Sequence, residues 1–172
     1  LRIMGTVHDI GKMSVPAEIL SKPGKINASE FGIIKMHPQS GYDILKGVQF
    51  PWPLAQAILQ HHERMDGSGY PSGLKEDQII FEARILAVAD VVEAIASHRP
   101  YRPAHGIDVA IEEIIRFRGI RYDAQVGAQL GQVTVDPGLG PGDDHAGQRV
   151  SLHAAFLQRV QWHERGPYRG LL

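Results

Sequence analysis

An all-α fold, built as a compact helical array, is the class this sequence predicts. Three observations carry it. Apolar residues recur at helical rather than alternating spacing, no two segments pair as strands and hairpins would, and Phe81–Ser97 is a long stretch that is apolar nearly all round. Such a stretch belongs at the centre of a helical layer, with its neighbours covering it on every side.

The elements follow in order. Leu1 to Lys12 is an apolar helix end closed by Gly11 and followed by Pro16. It has no cap before Leu1, so the chain is expected to begin inside an element. Ser21-Lys22-Pro23-Gly24-Lys25 is a loop. Asn27 or Ser29 can cap the next helix, with Glu30 in its first turn. That helix carries Phe31, Ile34, Tyr42, Ile44 and Leu45, and Pro38 is placed to kink or split it. Pro51 and Pro53 precede a further helix from about Leu54 to Glu63. Asp66-Gly67-Ser68-Gly69-Tyr70-Pro71-Ser72-Gly73 is too rich in glycine and proline for regular structure and reads as a shaped loop. After Phe81–Ser97 comes a stiff connector, Arg99-Pro100-Tyr101-Arg102-Pro103. A helix over Ile107–Arg116 places Ile107, Ile111, Ile114 and Ile115 on one side. A short last helix spans Ala124–Leu130.

Beyond about Gln132 the character changes, which divides the chain into a core over residues 1–132 and a linker and tail over 133–172. Asp136 to Asp144 reads as linker. Ser151 to Trp162 offers an amphipathic pair of turns, and no chemistry attaches to them.

Composition narrows the function classes. The 172 residues include 43% hydrophobic residues, enough to bury a core without staples. Lys plus Arg number 18 against 19 acidic residues, a formal charge of −1, which gives no long-range attraction to nucleic acid or anionic lipid. An anionic substrate must then be held by local cations or by metal. The absence of cysteine excludes disulfides and thiolate metal sites and favours a cytoplasmic protein. No apolar run is long enough to span a bilayer.

Six residues point to chemistry. His8-Asp9 offers an imidazole and a carboxylate at a helix end. Adjacent helical residues point roughly 100° apart, so the pair can serve one metal each or the carboxylate can bridge two. Taken alone, a His at a helix C-terminus is equally well explained by the helix dipole. His37 lies on an apolar stripe with Ile33, Ile34, Gly41 and Ile44, and a buried His needs a partner. His61-His62 closes an apolar helix directly before the glycine-rich loop. Asp90 is the only charge in Ile85–Val92, so its carboxylate needs either a metal or an ion pair with Arg84 or Arg99. Imidazole and carboxylate without thiolate suit iron, manganese or zinc rather than calcium. More donors than one tetrahedral ion uses imply at least two metals. Paired metals suit phosphate-ester hydrolysis.

The ordered set of motifs carries a resemblance over about residues 1 to 130. His8-Asp9-Ile10-Gly11-Lys12, Lys22-Pro23-Gly24, His37-Pro38, His61-His62-Glu63-Arg64, Asp66-Gly67-Ser68-Gly69-Tyr70-Pro71, Ala89-Asp90 and Arg99-Pro100-Tyr101-Arg102-Pro103 occur in sequence. This resembles the HD-GYP family of bacterial cyclic di-GMP phosphodiesterases, a branch of the HD metallohydrolases. The resemblance implies two or more divalent metals, iron or manganese, held by His8, Asp9, His37, His61, His62 and Asp90, with Asp9 the bridge. It implies that Asp9 and Lys12 serve catalysis, and that Lys12, Arg99, Arg102 and Tyr70 hold the dinucleotide. It implies further helices, and at least one further ligand, ahead of His8. It also implies an upstream receiver or sensory domain, and a GGDEF-type partner on the Gly69-Tyr70-Pro71 loop. The expected activity is hydrolysis of cyclic di-GMP, with the linear dinucleotide or GMP as the end product. The alternatives are a catalytically impaired module that senses cyclic di-GMP or docks a protein, and another HD-type nucleotide phosphohydrolase, against which the Gly-Tyr-Pro loop argues.

Overall fold

The computed structural model describes residues 2–96 and 106–130. Arg99, Arg102, His98, the 136–144 linker and the Ser151–Trp162 segment therefore lie outside the described residues.

Among the described residues eight α-helices run in order: α1 Arg2–Val7, α2 Ala17–Leu20, α3 Ala28–Ile34, α4 His37–Leu45, α5 Leu54–Gln60, α6 Phe81–Ala96, α7 Ile107–Arg116 and α8 Ala124–Leu130. Short 3-10 turns occupy Ile10–Ser14 and Glu76–Gln78. Among the described residues there is no strand, only isolated bridges at Asp66–Lys75 and Arg118–Tyr122. No described helix is long and apolar enough to cross a membrane. The fold is all-α, as the sequence predicts.

Helix α6 is the shared wall. Its Leu86 packs with Met4, Leu45, Leu54 and Ile58 on one side. Its Ile85, Val88 and Val92 pack with Ile114 and Val126 on the other. A helix apolar all round needs a core on both sides, and here α1, α4 and α5 supply one while α7 and α8 supply the other.

Local chemistry sets the boundaries. Asn27 caps α3 by accepting from the Glu30 backbone N–H at 2.9 Å, and Glu30 returns the bond to the Asn27 N–H at 2.8 Å. Lys22 anchors the same Glu30 carboxylate at 2.7 Å. Pro38 does split the α3–α4 segment, sitting in the first turn of α4, where its missing N–H costs nothing.

That split corrects one expectation. His37 shares its buried face with Pro38, Gly41 and Leu45, whereas Ile33 and Ile44 are exposed. The break re-phases α4 against α3, so a stripe counted through the proline does not continue. Ile115 is likewise exposed, and Ile114 alone of the α7 isoleucines is fully buried. The first helix also ends earlier than expected, at Val7, and residues 10–14 tighten into a 3-10 turn that packs on α4. Helix α5 stops at Gln60, short of the expected Glu63, so both histidines fall at and just beyond its C-cap.

Candidate metal centre

Three helix ends and the middle of a fourth helix deliver the site. His8 and Asp9 follow the last turn of α1, His37 opens α4, His61 and His62 close α5, and Asp90 projects from the middle of α6. Helix ends place side chains where the backbone no longer fills the space, and α6 supplies the buried carboxylate opposite.

The six side chains converge. His8 Nε2 lies 3.4 Å from Asp9 Oδ2 and 3.6 Å from Asp90 Oδ1. His37 Nε2 lies 3.4 Å from Asp9 Oδ1, and His62 Nδ1 lies 3.7 Å from Asp90 Oδ2. His37 and His61 approach Nε2 to Nε2 at 3.3 Å. The donor atoms of His37, His61 and His62 all fall within 4.8 Å of one another.

Three of the four imidazoles are oriented the same way. The Nδ1 atoms of His8, His37 and His61 meet the backbone carbonyls of Gly5, Ile34 and Ile58 at 2.7, 2.7 and 2.5 Å. A carbonyl only accepts, so Nδ1–H donates; His37 and His61, which burial favours as neutral rings, keep their lone pairs on Nε2, whereas His8 in the metal-free chain donates from Nε2 to Asp90. Those lone pairs face inward, toward each other and toward carboxylate oxygens. Asp9 Oδ1 is itself buried with no hydrogen-bond partner. Acceptors facing acceptors, with one buried oxygen left unpaired, is an arrangement that a divalent cation satisfies and a proton-based network does not. The residues present therefore fit a metal, and the cluster can hold a divalent ion.

The electrostatics agree. Burial depresses His61 to about 4, and burial together with its neighbour His61 holds His62 well below the ordinary histidine value. Burial also lowers His37. Burial works against the charge on Asp90, but the hydrogen bond from His8 and the neighbouring imidazoles win, and its carboxyl sits far below the usual range. Burial likewise opposes charge on His8 and Asp9. The Asp90 and Asp9 carboxylates nevertheless raise His8, and His8 with Lys12 lowers Asp9.

A pH dependence follows for the chain freed of metal by chelation. Between pH 4 and 6.5 the unfolded chain protonates histidines that the folded chain keeps neutral, so the unfolded state binds more protons and stability rises with pH. The raised His8 contributes with the opposite sign, and only as pH approaches and passes its ordinary value near 6.5. His61 alone contributes on the order of 3 kcal/mol across this window. Denaturant midpoints of the chelated chain are expected to climb from pH 4.5 to 6.5. A flat profile would mean these rings are protonated in the fold.

The alternative partner for Asp90 is removed in one case. Arg84 binds Asp123 at 3.1 Å and Asp77 at 3.3 Å. Lys12 donates to Asp9 Oδ2 and sits half-buried at the edge of the cluster. Tyr70 stacks on His62 with ring centroids 4.7 Å apart and planes 25° apart.

One residue has a role that its place in the motif does not disclose. Glu63 is buried, and its carboxylate accepts from the backbone N–H groups of Ser72 at 2.7 Å and Leu74 at 3.0 Å. It braces the Gly-Tyr-Pro loop from behind. Gly69 completes the brace by lying against the backbone of His62, Glu63 and Arg64, where a Cβ would come within 2.4 Å of Glu63 Cα. A charged residue directly after His61-His62 was the only available signal.

Comparison with known proteins places this site. Residues 1–126 match the family model described as HD domain. The chain is 43% identical over 125 residues, 72% of its length, to a cyclic di-GMP phosphodiesterase response regulator of Xanthomonas campestris, covering 33% of that protein. It is 45% identical over 125 residues, again 72% of its length, to a cyclic di-GMP phosphodiesterase of Pseudomonas aeruginosa, covering 30% of that protein. It is 39% identical over 133 residues, 77% of its length, to 3'3'-cGAMP-specific phosphodiesterase 1 of Vibrio cholerae, covering 30% of that protein. The chain thus spans about a third of the curated relatives it matches. With the family model matched over most of the chain and a histidine cluster that could hold a metal at its centre, the chain belongs to the HD domain family.

Proposed function

We propose that this chain is a metal-dependent phosphodiesterase core of the HD-GYP type, acting on cyclic di-GMP to give the linear dinucleotide and then GMP. The inward-facing Nε2 lone pairs beside the unpaired Asp9 Oδ1 are the observation that carries the reading. Similarity to phosphodiesterases of cyclic dinucleotides supports the substrate class.

His8, Asp9, His37, His61, His62 and Asp90 would hold two or more metals, iron or manganese. When bound, the metals supply Lewis acidity and an activated water. The chain's own residues do the rest. The backbone carbonyls of Gly5, Ile34 and Ile58 fix the imidazoles in the ligating tautomer. Lys12, held beside Asp9, brings a positive charge to the edge where a phosphate would enter. Tyr70 walls the pocket against His62. Arg99 and Arg102 are assigned to the phosphate clamp, since a near-neutral chain must grip its anionic substrate at close range. The proposed setting is cytoplasmic, with an upstream receiver or sensory domain. The exposed tip at Pro71, Ser72 and Gly73 is the surface offered to a GGDEF-type partner.

The test is incubation of the manganese- or iron-loaded chain with cyclic di-GMP, followed by chromatography. Metal-dependent appearance of the linear dinucleotide is expected, and Lys12→Ala should slow turnover more than it weakens binding. Binding without turnover would replace the enzyme by a sensor module. Absence of both would reject the cyclic di-GMP reading.

A further inference from the structure

We infer that Phe31 and Lys35 form the outer, base-binding edge of the same site, with Phe31 stacking a purine and Lys35 reading the guanine edge. The inference rests on the cyclic dinucleotide reading above.

A continuous file of contacts leads from the metal cluster to the surface. His62 faces Asp90, and Tyr70 stacks on His62. Phe31 meets Tyr70 edge-to-face, with ring centroids 6.3 Å apart and planes at 79°. Lys35 Nζ lies 4.9 Å from the Phe31 centroid and 5.2 Å from that of Tyr70. The file crosses from the loop after α5 to helix α3, which contributes nothing to the ligand set.

Both outer residues lie at the surface. Phe31 is 44% exposed, and its ring meets Tyr70 and Lys35. Lys22 and Lys46 each reach a carboxylate at 2.7 Å, and Lys12 pairs with Asp9. Among the described residues Lys35 has no carboxylate within 4 Å and rests on two aromatic rings instead. A cation held over aromatic rings, one ring away from a candidate metal ligand, carries a positive charge without a carboxylate partner beside exposed aromatic surface.

The chemistry of the occupant follows. A purely apolar partner would bury the ammonium without an acceptor, which is costly. A planar base with acceptors on its edge satisfies both groups at once. Stacking on an aromatic ring is indifferent to base identity. The lysine is not indifferent, because guanine presents two adjacent acceptors, O6 and N7, whereas adenine presents N7 beside a donor at N6 that repels the ammonium. A guanine subsite here would also be filled by a mixed guanine–adenine cyclic dinucleotide, which contains one such base.

The test is calorimetric titration of the manganese-loaded full chain with hydrolysis-resistant phosphorothioate analogues of cyclic di-GMP and cyclic di-AMP. Metal content is measured alongside. Phe31→Ala is expected to weaken both ligands about 10-fold, and Phe31→Trp to restore them. Lys35→Met is expected to weaken cyclic di-GMP about 10-fold and to leave cyclic di-AMP nearly unchanged, so the guanine preference falls. Metal content should stay at the parent level in all three, since neither residue is a ligand candidate. Parent-like binding by Phe31→Ala and Lys35→Met, when the parent chain binds, overturns the inference alone. An equal loss for both ligands in Lys35→Met overturns the guanine reading. A parent chain that binds no cyclic dinucleotide overturns the proposed function and this inference together.

Discussion

Asp90→Asn is expected to abolish metal retention while the chain remains folded. The amide keeps the shape of the carboxylate and removes its charge. In the parent, Asp90 meets His8 Nε2 at 3.6 Å and His62 Nδ1 at 3.7 Å, so it touches both flanks of the cluster. It also supplies negative charge from a helix whose surroundings are otherwise apolar, with Ala87, Val88, Ala89 and Val92 buried around it. Loss of groups that merely orient ligands typically costs 10–100-fold in metal affinity, so loss of a charged ligand should cost at least about 100-fold. The fold should suffer less. The metal-free parent gains only a His–carboxylate contact there, and the amide can still accept from His8. Elemental analysis of the two proteins after gel filtration checks the first part, and their melting temperatures after chelation check the second. Equal metal content in both would show that Asp90 is held by a cation from the protein, and Arg84 is already engaged with Asp123 and Asp77.

The legibility of this protein in its sequence divides along a physical line. Elements governed by local chemistry are readable. The Asn27–Glu30 cap, the proline break at α4, the helix over 107–116 and the buried α6 all follow from propensity, capping and composition. The ligand candidates are readable for a related reason. Histidines and a lone aspartate in apolar surroundings conflict with packing unless something binds them, and a local rule broken repeatedly marks a site. What is not readable depends on tertiary approach. Glu63 reaches backbone groups 9 and 11 residues ahead, which no spacing rule anticipates. The faces of α3 and α4 were misphased because periodicity cannot be counted through a break whose angle is set by packing. Phe31, one of the apolar residues counted along that helix, is exposed and meets Tyr70, a contact distant in sequence that spacing does not anticipate.

Gly11→Ala is expected to show the largest structural effect, because it acts where tertiary approach is tightest. Gly11 is fully buried in the 3-10 turn after His8-Asp9. A Cβ there would lie 1.9 Å from the His37 carbonyl oxygen, 2.5 Å from the Gly41 N and 2.9 Å from the His37 carbonyl carbon. All three are backbone atoms, so no side chain can swing aside. The turn and the start of α4 must separate, and these are the two pieces that carry Asp9 and His37. Overpacking of this kind costs about 3 kcal/mol or more. In a domain of this size that lowers the melting temperature by roughly 10 °C. Separation also pulls His37 Nε2 from Asp9 Oδ1, now 3.4 Å apart, so metal affinity should fall with stability. Gly32→Ala is the matched control. Gly32 sits inside α3 with nothing within 4 Å of an added Cβ. There the same substitution relieves only the helix penalty of glycine and should stabilise by about 0.5–1 kcal/mol. Thermal unfolding of both variants, with and without manganese, separates the two effects. A Gly11→Ala chain that melts with the parent and binds metal as tightly would mean that the turn after His8-Asp9 does not press on α4 in solution.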